Sequence, residues 1–195
     1  MTETLAHKMA RVLSEQVSIQ PYDPAWPASF RRERDYLVSC LPNDLLGRIE
    51  HFGSTAVPGL AAKPIVDMLV EVSDLEAARA RIVPLLEAQG YDYFWRATKG
   101  EDGPPFYAWF IGRDPATRVR THHIHMVEPG FPHWESLSFR DHLIAHPEVA
   151  RDYEALKRSL AAEHGHDRIA YTRGKADFIE RVTAAARRQE PREHL

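Results

Sequence analysis

The sequence carries a single cysteine, Cys40, among 195 residues. A lone thiol cannot form a disulfide within the chain, and such composition suits a reducing compartment, the cytosol. Cys40 itself reads as a small hydrophobe near a helix end. No apolar run approaches the roughly 18 residues that cross a bilayer. Residues 1–15 lack the apolar stretch of a secretory signal. Neither a membrane partner nor export is therefore expected. Charge of one sign is also lacking. There are 25 Lys and Arg against 28 Asp and Glu, a formal net charge of −3. That balance argues against a dedicated nucleic-acid binder, which shows a basic surplus, although local basic patches leave nucleic acid open as a partner. Internal repeats and low-complexity segments are missing. So are the phosphate-binding loop, the dinucleotide glycine pattern, zinc-finger spacing and the nucleophile elbow. Nothing in the composition bears on oligomeric state.

What is present describes a globular domain. Apolar residues make up 44% of the chain, enough for a sizeable core in a length that fits one domain. Residues 1–16 form a polar leader with helical spacing at Leu5, Met9, Val12 and Leu13. Pro27 sits where the first turn of a helix tolerates it, and that helix runs to about Leu41. Residues 45–52 hold the first strand, 57–62 a short helical turn, and 64–72 a strand apolar on both faces. Ser73 or Asp74 caps a helix to about Gln89, stopped by Gly90. Residues 91–97, 106–111 and 118–127 are strand-like. From His133 the pattern is helical, with breaks near His146-Pro147 and His164-Gly165-His166. Strands come first and helices last, which predicts an α+β fold with a mixed sheet and C-terminal helices. The expected boundaries are a leader (1–16), an α/β core (17–130), a helical part of the same domain (131–188) and a frayed tail (189–195).

One stretch concentrates chemistry. Gly53-Ser54 forms a turn after an apolar strand, and its main-chain N–H groups can approach an anion closely. Asp67 opens the next strand and offers a hard oxygen to a divalent cation. His123 and His125, two apart on a strand, share one face. If that strand neighbours Asp67, a His-His-Asp pocket results, and imidazole favours Mn, Fe, Ni or Zn over Mg. The same histidines could instead bind phosphate, shuttle a proton or face solvent. Lys63 is either a solvated charge or a contact to phosphate at the Gly53-Ser54 turn. Trp26, Trp95, Trp109 and Trp134 read as core or groove-lining residues. His122 should face away from the site.

These motifs resemble the GrpB family, a branch of the DNA polymerase beta-like nucleotidyltransferase superfamily. The resemblance runs over about residues 17–185. It rests on Ile19-Gln20-Pro21-Tyr22-Asp23-Pro24-Ala25-Trp26-Pro27, the Gly53-to-Val72 stretch, His123-Ile124-His125, Phe139-Arg140-Asp141-His142-Leu143, His146-Pro147-Glu148, Tyr153, Leu156-Lys157, Tyr171 and Lys175-Ala176-Asp177-Phe178-Ile179. It implies a nucleotidyltransferase-like mixed sheet flanked by helices, binding a nucleotide or another phosphorylated small molecule. Gly53, Ser54, Lys63, Arg140, Lys157, Tyr171 and Lys175 would contact it. Asp67, His123 and His125 would be catalytic, with a divalent metal (Mg or Mn) on Asp67 and His125. Arg140 and Lys157 could equally serve in ion pairs between helices. The superfamily holds its metals with two acids two residues apart. Here Leu69 fills the second place, and Glu71 lies about 13 Å from Asp67 along an ideal strand. Robust transfer would need another carboxylate, such as Glu50 or Glu128. Two alternatives to metal-dependent nucleotidyl transfer follow. One is a non-catalytic accessory module tied to coenzyme A metabolism, since GrpB-like segments occur fused to dephospho-coenzyme A kinase. The other is a metal-dependent phosphohydrolase.

Overall fold

The computed structural model describes residues 4–98 and 104–189. The tail beyond Gln189 and the middle of the 98–105 loop lie outside the described residues. Five strands form one mixed sheet: β1 (Leu46–Phe52), β2 (Val66–Val72), β3 (Asp92–Ala97), β4 (Phe106–Arg113) and β5 (Arg120–Val127), in the spatial order β1-β2-β5-β4-β3. Only β2 and β5 are parallel; every other neighbouring pair is antiparallel. The helices are α1 (Leu5–Ser14), α2 (Trp26–Cys40), α3 (Leu75–Arg81), α4 (Val83–Ala88), α5 (Ser136–Ala145), α6 (Pro147–His164), α7 (Arg168–Gly174) and α8 (Ala176–Gln189). The fold is α+β, as the order of strands and helices predicts.

Alternation along β2 divides the sheet into two faces. Val66, Met68, Val70 and Val72 pack against Trp26, Leu37 and Leu41 of the α2 region and Leu75, Ile82 and Leu86 of α3 and α4. These β2 side chains are at most 2% exposed, so this face is the main core. Asp67, Leu69 and Glu71 face the other side. There Leu69 joins Tyr107, Trp109, Ile111, Val127, Phe131 and Val12 of α1 in a second cluster. The C-terminal helices build a third cluster, in which Phe139, Leu143, Tyr153 and Val182 close over Val57 and Leu60.

Three elements differ from the sequence reading. The expected helix over 74–89 begins as expected, with the Asp74 side chain accepting from the Ala77 N–H. It splits into α3 and α4 at Ile82, because Pro84 has no N–H to continue the ladder and its ring crowds the carbonyl one turn back. The short helical turn lies at Ser54–Ala56 rather than 57–62, since Gly53 takes φ +70° and turns the chain before it. Ala62 pairs with Gln20 in an isolated bridge instead. The C-terminal helical part also breaks once more than expected, between α7 and α8 at Lys175.

Candidate functional site

The site face is assembled by register. Asp67 lies opposite His123 across the parallel β2–β5 pair, and His125 lies opposite Leu69. The three side chains converge, one ligand atom from each lying within 4.8 Å of the others. His123 Nδ1 is 3.1 Å from Asp67 Oδ1. A carboxylate only accepts, so neutral His123 carries its proton on Nδ1 and presents the Nε2 lone pair. That Nε2 is buried without a partner, and so is His125 Nδ1. Burial pushes the pKa of both imidazoles down; the Asp67 hydrogen bond opposes this at His123, and His133 adds to it at His125. Both rings are therefore neutral, the form that binds metals. Burial alone would raise the Asp67 pKa, but the hydrogen bond from His123 and the charge of Lys63 hold it below its ordinary value.

The Gly53–Ser54 turn seats against this group. A Cβ on Gly53 would come 2.5 Å from Asp67 Oδ2, in addition to the positive φ. Glycine thus permits both the turn and the close approach to the carboxylate. Ser54 lies within reach of the Tyr153 hydroxyl, whose pKa it acts to lower against the effect of burial. Lys63 and Lys175 flank Tyr171, their Nζ atoms 5.6 and 4.5 Å from its ring centroid. Neither lysine has an ion-pair partner among the described residues. Burial and mutual repulsion, together with Arg168, lower Lys63 to about 7. Burial lowers Lys175 to about 8, with Asp67 opposing it. Positive charge therefore exceeds negative charge around Asp67.

Of the sequence-derived candidates, Gly53, Ser54, Lys63, Asp67, His123, His125, Tyr171 and Lys175 come together. Arg140 and Lys157 are committed elsewhere. Arg140 bonds Glu50 at 3.2 Å, the His51 carbonyl at 2.8 Å and Asp141 at 2.7 Å, fastening α5 to β1. Lys157 forms no interhelical ion pair among the described residues; it is 2% exposed and donates to the Ala61 carbonyl. Among the described residues the second carboxylate is not supplied from nearby. Leu69 is fully buried. Glu71 pairs with Arg48 at 3.3 Å. Glu50 shares the face of Leu69, its cross-strand partner, but is held by Arg140. Glu128 caps the Leu75 N–H at the far end of β2. His122 faces the α2 side, 3.3 Å from Ser29 Oγ.

The face also holds residues that the linear reading does not assign to the site. Trp109, its Nε1 buried and unpartnered, packs its ring 5.2 Å from His123. Tyr107 stacks on His125 at 5.4 Å, and His133 closes on Tyr107 at 4.5 Å. Arg120 reaches this face because Thr121 is an extra residue in β5. Gly112 pairs with His122, but Arg113 pairs with Arg120, and such a bulge reverses the facing of what precedes it. Arg168 arrives from α7, within electrostatic reach of Asp67. A larger cleft, about 360 Å³, lies away from this group beside His122, Glu33 and Tyr91.

A family model described as GrpB protein matches residues 16–185. The chain is 33% identical over 175 residues to the glutamate-rich protein GrpB of Alkalihalophilus pseudofirmus, covering 89% of this chain and 98% of that one. It is 37% identical to UPF0157 protein YqkA of Bacillus subtilis, over 89% of this chain, and spans only 48% of that relative's length. A protein named dephospho-CoA kinase from Mycolicibacterium paratuberculosis is 31% identical over 89% of this chain, which spans 47% of it. The crystal structure of conserved protein GrpB from Enterococcus faecalis superposes with a TM-score of 0.74 at 32% identity, covering 88% of this chain and 98% of that one. With its sequence motifs, its fold and these matches in agreement, the chain belongs to the GrpB family.

Proposed function

We propose that this sheet face binds a divalent metal ion on Asp67, His123 and His125, and beside it the phosphate groups of a nucleotide or another phosphorylated small molecule. The observation that carries the reading is the pair of buried, unpartnered imidazole nitrogens beside a carboxylate. Buried polar atoms without partners are rare, and each calls for an explanation. A two-imidazole, one-carboxylate set suits Mn, Fe or Zn better than Mg. The Gly53–Ser54 turn offers main-chain N–H groups to phosphate, and Lys63 and Lys175 offer charge beyond what the single Asp67 carboxylate balances. A bound metal would supply Lewis-acid polarisation of a phosphoryl oxygen. The protein's own part is to hold the phosphates against the turn and the lysines and to shelter them from water under Trp109, Tyr107 and the C-terminal helices. If chemistry follows, it is nucleotidyl transfer, expected to be slow or absent with Mg²⁺ because Leu69 leaves Asp67 unpaired.

Titration of the full chain with Mn²⁺, followed by electron paramagnetic resonance and then by calorimetry with a nucleotide panel, tests this. One Mn²⁺ per chain is expected, with affinity at least about tenfold weaker in a folded His125→Ala variant. Equal affinity in variant and parent would reject the site. Leu69 and the likeness to a protein named dephospho-CoA kinase favour a second reading, an accessory module near coenzyme A metabolism. In that case nucleotide would bind without turnover under every metal.

A further inference from the structure

A small pocket of about 130 Å³ opens beside the site, between residues 15–18, the 63–65 segment, the start of β5 and the start of α7. Three cations line it: Lys63, Arg120 and Arg168. One carboxylate, Glu15, lines it too, but that carboxylate is already shared. Its Oε1 accepts from Arg113 Nη1 at 2.9 Å, and its Oε2 lies 2.5 Å from Arg120 Nε, without the alignment of a hydrogen bond. Arg120 is 3% exposed and gives Nη2 to the Val12 carbonyl at 2.5 Å. Arg168 donates only to the main-chain carbonyl of Glu15, at 3.3 Å, and has no carboxylate partner among the described residues. Lys63 has none either. Two of the three cations therefore face the pocket without an ion-pair partner, a costly arrangement unless an anion completes it. The wall between Lys63 and Arg168 adds Ile65 and the exposed Val119. The volume suits one small anionic group, not a whole nucleotide.

We infer that this pocket binds the anionic end of a second substrate, a phosphorylated or carboxylated small molecule, with Arg168 and Lys63 as its recognition residues. The inference deepens, and in that sense rests on, the phosphate-binding reading of the Asp67 face. Lys63 is common to both places, so a group held here sits beside the phosphate on the Gly53–Ser54 turn rather than replacing it. A pocket of this kind selects an acceptor with a charged end over a neutral alcohol or amine.

The test is titration of the full chain with inorganic phosphate, followed by ³¹P resonance and calorimetry, in the presence and absence of Mn²⁺. With Mn²⁺ the parent should bind two phosphates per chain. Arg168→Gln should lose one of them, weakened at least tenfold, while keeping its Mn²⁺ affinity. Should Arg168→Gln fail to fold, Ser18→Glu places a carboxylate on the exposed pocket wall and should abolish the same phosphate. His125→Ala should lose Mn²⁺ yet keep the Arg168-dependent phosphate. Absence of Mn²⁺ binding in the parent would therefore reject the metal reading alone. Unchanged phosphate stoichiometry and affinity in both folded Arg168→Gln and Ser18→Glu would overturn the pocket.

Discussion

At the residue scale, Leu69 separates this site from a two-carboxylate centre. Its side chain is fully buried among Trp109, Val127 and Phe131. Leu69→Asp would lose that apolar burial and place a carboxylate among aromatic rings, a combined cost on the order of 4 kcal/mol. The expected outcome is a large fall in the urea midpoint, partly reversed by Mn²⁺, which would bind the folded form more tightly than it binds the parent. The triad itself is legible in the sequence. Asp67 stands out in an apolar strand, and His123 and His125 share a face through simple alternation. Arg120 is not legible, because alternation alone puts it on the face of His122. Trp109 reads only as core or groove-lining, and Arg168 and His133 are invisible for another reason: nothing local distinguishes a residue that long-range packing brings to a pocket.

At the scale of elements, the bulge at Thr121 decides what β5 shows to each side. Deleting Thr121 would leave Arg120 directly before His122 and so still on the Asp67 face opposite Arg113, which makes the Arg120 side chain itself the group to test. Arg120→Gln would break the contacts with Glu15 and Val12 that hold the end of α1 on the sheet. Losing one partner of a buried ion pair costs about 3 kcal/mol or more. Arg120→Gln should lower the urea midpoint accordingly and make trypsin cleave after Lys8 about tenfold faster, since local opening governs such cleavage. Strands and most helices are readable from apolar spacing and caps. The break at Pro84 shows where that reading goes astray: the apolar stripe from Leu75 to Leu86 continues through it, while the backbone cannot. The turn at Gly53 is similar, because its position depends on Asp67 beneath it and not on the Pro58-Gly59 pair that marks a bend in the sequence.

At the scale of the whole molecule, several imidazoles are buried in the neutral form. Burial lowers His51 and His133 to about 4, against an ordinary value of 6.5. Between those values the unfolded chain binds more protons than the folded one. Stability contributed by these groups is intact above pH 6.5 and is lost as pH falls toward 4. Melting temperatures at pH 7, 5.5 and 4.5 should fall in that order, and His51→Gln should flatten the slope. The parallel strand pair carries a further consequence, for the order in which the chain folds. Asp67 and His123 stand 56 positions apart, and the chain between them must first run through α3, α4, β3 and β4. Pairings across such a separation form slowly, so the ligand set comes into being only when the centre of the sheet closes. A metal ion drawn to it would recognise the finished sheet and nothing earlier. In refolding followed by stopped flow, Mn²⁺ uptake should lag the recovery of helix signal. At a hundredfold excess over its dissociation constant, the ion should then hold the closed sheet by about 2.7 kcal/mol, a clasp that fastens only after the garment is made.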